Sequence, residues 1–143
     1  MSSIRDVWQY ANSIIRSARQ IINQELRPLG LSSAEGNILL HMWVKNEKMC
    51  QDQLVQQLDI SKAAISRAVD SLEEKGYLIR QKDPGDKRFY QLMLSGNAKQ
   101  IGPRIEQVYS LVYAQAMKNI SPDEFDYLIE LLSRISKNFT DEQ

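Results

Sequence analysis

Apolar residues recur every three or four positions from residue 4 to residue 28 (Ile4, Val7, Trp8, Ala11, Ile14, Ile15, Ala18, Ile21, Ile22, Leu26), which lines one side of a long helix. Pro28 and Gly30 end that run. A second helix is predicted to open at Ser32, because Ser32-Ser33-Ala34-Glu35 is a capping box, and to continue through Ile38, Leu39, Met42 and Trp43 to about residue 44. After a polar connection over 45–49, a short third helix covers roughly 51–58, with Leu54, Val55 and Leu58 apolar. Asp59-Ile60-Ser61 turns into a fourth helix, for which Ser61 is a good N-cap residue. At about 100° per residue, Ile65, Ala68, Val69 and Leu72 share one side of it. Lys62, Ala63, Ser66, Arg67 and Asp70 share the other. Gly76 offers a left-handed stop.

The period then changes from nearly four to two. Residues 77–82 and 89–94 read as strands joined by Asp83-Pro84-Gly85-Asp86, a run with strong turn chemistry. Tyr90, Leu92 and Leu94 alternate with Phe89, Gln91 and Met93, so one face of the hairpin can be buried. From residue 95 a long helix carries Ile101, Ile105, Val108, Tyr109, Val112, Tyr113, Ala116 and Met117 as its stripe, with a bend expected at Gly102-Pro103. Ser121-Pro122-Asp123-Glu124 opens the last helix. The expected fold is mainly α with a small β-hairpin wing (α+β). A winged helix-turn-helix core over about 32–94 is flanked by long helices over 4–28 and 95–139, in one domain spanning 1–143. The first and last helices carry more apolar surface than the central unit can cover, and closed twofold pairing is the commonest way to bury it. A homodimer is therefore expected.

Length and composition agree with this reading without deciding it. The chain has 143 residues, 43% hydrophobic and 25% charged, enough for one good core. Net charge is zero overall but unevenly spread. Residues 61–88 hold seven basic and five acidic side chains, a balance of +2; residues 119–143 hold two basic and six acidic, a balance of −4. Such a polarised chain can turn its basic face toward DNA. Arg5 and Asp6 interrupt any apolar leader, and no run approaches the ~20 apolar residues of a membrane span. The single cysteine, Cys50, fits a reducing cytoplasm, which is the expected location.

The polar side of the fourth helix suits a DNA groove. Ala63 and Ser66 let the backbone come close, beside Ser61 at the cap, while Lys62 and Arg67 can reach phosphates or guanine edges. Arg80 and Lys82 on the incoming strand, with Lys87 and Arg88 beyond the turn, make the wing basic, and an arginine on a thin hairpin can enter a narrow minor groove. Asp86 makes more sense as an internal partner holding a neighbouring arginine. Singly, each of these residues reads as a solvated surface charge; their ordered combination favours a nucleic-acid interface.

The segment S-K-A-A-I-S-R-A-V-D-S-L-E-E-K-G-Y-L-I-R (61–80), followed by D-P-G-D-K-R (83–88) and L-M-L-S (92–95), resembles the MarR family of winged helix-turn-helix regulators. In that family the wing reads Asp-x-x-Asp-Arg-Arg; here Lys87 stands in for the first arginine, and Arg88 keeps the second. The resemblance implies that Arg88 enters the minor groove, that Asp86 anchors the wing by a salt bridge, and that Ser66 and Arg67 match the family's Ser/Thr-Arg pair. It also implies a homodimer with interlocked terminal helices, acting as a repressor on a pseudo-palindromic double-stranded DNA operator and responding to a small phenolic or amphipathic effector.

Other residues carry weaker chemistry. His41 reads as a satisfied core histidine or as part of an effector pocket, and Arg16 as a solvated charge or an anion partner there. Trp8, Tyr10, Trp43, Tyr109 and Tyr113 are core aromatics or the lining of the same cavity. Cys50 stands where the cap of the third helix would sit, and a thiol there can have a lowered pKa. The family's redox members carry their cysteine on the first helix, where this chain has none. With one His and one Cys a closed zinc site is not expected. No cofactor motif and no catalytic constellation are present, so neither a cofactor nor an enzyme is expected. The rival reading is a winged-helix adaptor whose exposed helix meets protein instead of DNA.

Overall fold

The computed structural model describes residues 1–85 and 90–140. Helix α1 spans Ile4–Leu26 and is followed by a single 3-10 turn, Arg27–Leu29, so the expected helix over 4–28 tightens in its final residues. Three helices follow: α2 (Ser33–Lys45), α3 (Gln51–Leu58) and α4 (Lys62–Glu74). Strands β1 (Leu78–Lys82) and β2 (Tyr90–Leu94) pair antiparallel with Leu78 opposite Leu94 and Lys82 opposite Tyr90. The chain ends in α5 (Gly96–Ala116) and α6 (Pro122–Thr140). By its internal packing it forms two compact units, Met1–Val112 and Tyr113–Gln143.

Each boundary in the first unit has a local cause. Ser32 caps α2 through a full capping box: its hydroxyl accepts from the Glu35 N–H at 3.2 Å, and its own N–H donates to Glu35 Oε1 at 3.0 Å. Asn46 (φ 53°) and Asp59 (φ 52°) end α2 and α3 in the left-handed region, which short polar side chains tolerate. Gly76 (φ 82°) stops α4, and Ser95 then ties that stop to the next helix. The Ser95 hydroxyl donates to the Gly76 carbonyl at 2.6 Å and accepts from the Ala98 N–H at 3.1 Å.

The core of this unit joins every element of the helix-turn-helix. Ile38, Leu39 and Met42 from α2, Leu54 from α3 and Ile65, Val69 and Leu72 from α4 are all essentially inaccessible, together with Leu26, Met49, Leu92 and Ile105. Met49 also makes a two-bond bridge to Leu92 (N···O 3.2 and 2.7 Å), so the connection after α2 lies as a one-residue third strand against β2. Helix α5 runs as one helix through Gly102 and Pro103, the place where a bend is expected. Gly102 also serves close packing. A Cβ there would lie 2.5–2.8 Å from three atoms of the Trp43 ring, so the glycine lets α5 approach that indole. Trp43 Nε1 in turn donates to Glu106 at 2.8 Å on α5. Pro103 faces outward, where water can serve the carbonyl that its missing N–H cannot.

One polar group lies inside this framework. Glu35 is 5% exposed, yet it accepts from Ser71 Oγ at 2.9 Å and from Lys75 Nζ at 3.0 and 2.8 Å, besides the Ser32 N–H. Lys75 Nζ also donates to the Gly30 carbonyl at 2.7 Å. The cap of α2 is thereby the anchor of α4. In the second unit α6 opens with its own capping box at Ser121 and Glu124 (2.9 and 3.1 Å), and none of its residues is buried.

Burial alone would raise the Glu35 pKa; the Lys75 ammonium, the Ser32 N–H and the Ser71 and Ser32 hydroxyls outweigh it and hold the carboxyl below the usual 4.5. A depressed folded pKa adds stability that is complete above the unfolded value and is lost as pH falls through the folded one. Glu35→Gln is therefore expected to lower unfolding stability at pH 7 by about 1–3 kcal/mol. In urea melts, its deficit against the unmodified chain should shrink as pH drops below 4.5.

Candidate nucleic-acid interface

Helix α4 presents the two sides that its sequence pattern assigns. Ile65, Ala68, Val69 and Leu72 are buried, whereas Ser61, Lys62, Ala63, Arg67 and Asp70 are exposed and Ser66 is half-buried. Ser61 caps the helix, accepting from the Ala64 N–H at 3.2 Å. Because the inner side is locked to α2 and α3, the outer side is held at a fixed attitude on the surface of the unit. Among the described residues no group accepts from or pairs with the side chains of Lys62, Arg67 or Lys82, which are exposed. Lys82 ends β1 opposite Tyr90, at the turn end of the hairpin.

Arg80 is placed otherwise than the sequence pattern suggests. Its Nη2 donates to Asp70 Oδ1 at 3.0 Å and to Gln51 Oε1 at 3.2 Å, its Nε lies 3.7 Å from Glu73 Oε2, and the guanidinium sits 5.8 Å from the centre of the Tyr90 ring. With 26% of its side chain exposed, it is bound to its own protein. Two of the basic residues in this segment, Lys75 and Arg80, thus neutralise internal carboxylates, and the outward charge comes from fewer groups. Asp86, Lys87 and Arg88 lie outside the described residues.

The secondary candidates scatter. His41 is half-buried and its Nε2 is 2.6 Å from Gln57 Oε1, a link between α2 and α3. Arg16 lies on an open stretch of α1 beside Asn12, Ile15 and Arg19. Of the aromatics, Tyr109 is buried close to Gly36, Trp43 lies against Gly102, and Tyr10 is 72% exposed. Cys50 does occupy the cap position of α3, where its N–H donates to Gln53 Oε1 at 2.9 Å. Among the described residues no group of three or more His, Cys, Asp or Glu could hold a metal, and no helix is long and apolar enough to cross a membrane.

Glu35, Lys75 and Gln51 are the residues that sequence reasoning left without a role at this site. Ser71 and Lys75 stand four apart, off the apolar stripe of α4, which marks a second inward edge. Nothing local marks their partner forty residues upstream.

Residues 29–88 match the model of the MarR family, a stretch that runs from the turn before α2 to the basic pair after β1. Residues 29–88 are a MarR-family winged-helix segment, and the fold of the chain is that of MarR-type regulators. It is similar over nearly its full length to a MarR family transcriptional regulator from Listeria monocytogenes solved with 26mer DNA. That match has 25% identity, covers 99% of this chain and 91% of that one, and has a TM-score of 0.85. The transcriptional regulator SlyA shares the fold with a TM-score of 0.86 at 23% identity, covering 96% of each chain. So does an E. coli MarR variant solved with operator DNA, with a TM-score of 0.79 at 22% identity over 92% of this chain and 94% of that one. The family and its fold are those of transcription regulators, and the MarR-type helix-turn-helix here comprises α3 and α4, with β1 and β2 as the wing.

The Ser61 cap gives the site a direct check. Ser61→Ala is expected to cost about 1 kcal/mol. It should also raise amide exchange over the first turn of α4, measured by NMR, without affecting α5.

Proposed function

We propose that this chain is a sequence-specific, DNA-binding repressor that acts as a homodimer on a pseudo-palindromic operator and releases it when a small phenolic or amphipathic effector binds. The observation that carries this reading is the outer side of α4. Small residues Ala63 and Ser66 are flanked by Lys62 and Arg67, exposed and without internal partners among the described residues. A helix with that face fits a major groove, its lysine and arginine reaching phosphates or guanine. The wing would place Arg88 in the adjacent minor groove, with Lys82 and Lys87 on the flanking phosphates and Asp86 steadying the arginine. The DNA-bound Listeria relative supports the same mode of use.

Pairing is supported by the uncovered apolar side chains of the terminal helices. On α1, Ile4, Trp8, Ile14 and Ile15 are 45–63% exposed. On α6, Phe125, Leu128, Ile129, Leu132 and Phe139 are 36–61% exposed. Isolated apolar residues are normal on a surface, but rows of this length on one helix mark an interface. The dimer would set the spacing of two recognition helices to about one turn of DNA. An effector that prefers a dimer with the wrong spacing would empty the operator by population shift. Arg16 and His41 are the candidate effector contacts.

The test is a gel shift with the promoter region next to the chain's own gene, titrated with salt. Arg88→Ala should weaken binding to most sequences and reduce the salt slope by roughly 0.9. Arg67→Ala should change base preference by about 1–3 kcal/mol at particular positions. Full-strength binding by a chain with both Lys87→Ala and Arg88→Ala would overturn the wing assignment. If no duplex is bound, the adaptor reading gains. Sedimentation at micromolar concentration should show twice the chain mass, and a clean monomer would remove the dimer from the account.

A further inference from the structure

We infer that Arg80 is a positioning residue that pins the wing to the recognition helix and does not itself touch DNA; the inference rests on the DNA-binding reading above. Two strands alone make a marginal hairpin, so the direction in which this one points has to be fixed from outside. Toward the body it is fixed by burial, since Leu78 and, opposite Arg80 on β2, Leu92 lie in the core. Beyond Arg80 the strand has no such hold, because Gln81 and Lys82 are exposed. Arg80 is the last point along β1 at which the wing is attached to the helical body.

One guanidinium makes that attachment in four directions. It meets Gln51 at the start of α3, Asp70 and Glu73 on α4, and the Tyr90 ring on β2. A planar fork can serve several partners at once, whereas an ammonium is a single point charge. The Nε atom is buried and lacks a hydrogen-bond partner among the described residues, its nearest charge being the Glu73 carboxylate. The group is therefore held in place by packing and by two acids. A phosphate would have to displace both, and both repel it. Asp70 thereby gains a role that an acid on a DNA-facing surface otherwise lacks: it orients the basic wing through Arg80.

The sign of one substitution separates the two roles. Near DNA, removing a carboxylate normally tightens binding by lifting repulsion. If Asp70 works by holding Arg80, Asp70→Asn weakens binding instead. We expect Asp70→Asn and Arg80→Met each to loosen the operator duplex roughly tenfold, the scale of one charge-assisted hydrogen bond. The double variant should be no weaker than Arg80→Met alone. Tighter binding by Asp70→Asn, or losses that multiply in the double variant, would make Arg80 a direct DNA contact and overturn the inference. Amide exchange of the hairpin, followed by NMR in the free protein, covers the case in which even the unmodified chain binds no duplex and the DNA reading fails. Arg80→Met should speed exchange across the β1–β2 pairing while α5 is unchanged, and unaltered hairpin exchange would refute the pin.

Discussion

Glu35 holds a negative charge at a position only 5% exposed, and a charge in such a place has to be met from several sides. Here it is met by the backbone of its own helix start, by the Ser71 hydroxyl and by the Lys75 ammonium. Because Ser71 and Lys75 belong to α4 or its cap, the requirement translates directly into geometry. Helix α4 has to sit on α2 in a register that brings Ser71 and Lys75 to that carboxylate. Lys75 adds the Gly30 carbonyl, so the turn leading out of α1 is held by the same cation. Apolar packing alone would leave α4 freer to rotate, since Ile65, Val69 and Leu72 would fit several similar attitudes. The polar contact narrows them.

From that constraint the character of the exposed surface follows. Once Lys75 and Arg80 are engaged by the protein's own acids, the positive charge that α4 and β1 turn outward is carried, among the described residues, by Lys62, Arg67 and Lys82. A chain of zero net charge can still carry a basic patch here, because Asp70 and Glu73, although exposed, are engaged by Arg80, and Glu35 by Lys75. The wing is governed by the same economy of charge, with Arg80 supporting the strand from which Lys82 projects.

Most of the architecture was legible because it depends on short-range signals. The capping boxes at Ser32 and Ser121, the cap at Ser61, the stop at Gly76 and the inward stripe of α4 are each written within about a dozen residues, and the structure reproduces them. What was not legible is what depends on neighbours distant in sequence. The capping box identified Glu35 as a cap but could not show that forty residues later a lysine would return to it. Gly102 looked like a bend beside Pro103, and only the packed structure shows Trp43 against it. Arg80 was grouped with the outward basic residues because its charge fits them, whereas its place on β1 turns it toward Asp70 and Glu73. At the candidate site, therefore, the sequence pattern separated the buried from the exposed side of α4. It could not tell which cations face outward and which are internal supports.

The central claim is that the face of α4 held outward by this framework is the surface that meets DNA. The most direct measurement is an NMR titration of the labelled protein with its promoter duplex, following backbone amides. The largest shifts are expected at Lys62, Ala63, Ser66, Arg67 and Lys82, with the Glu35 amide scarcely moved. Shifts confined to α1 or α6, with α4 silent while duplex is bound, would contradict the account.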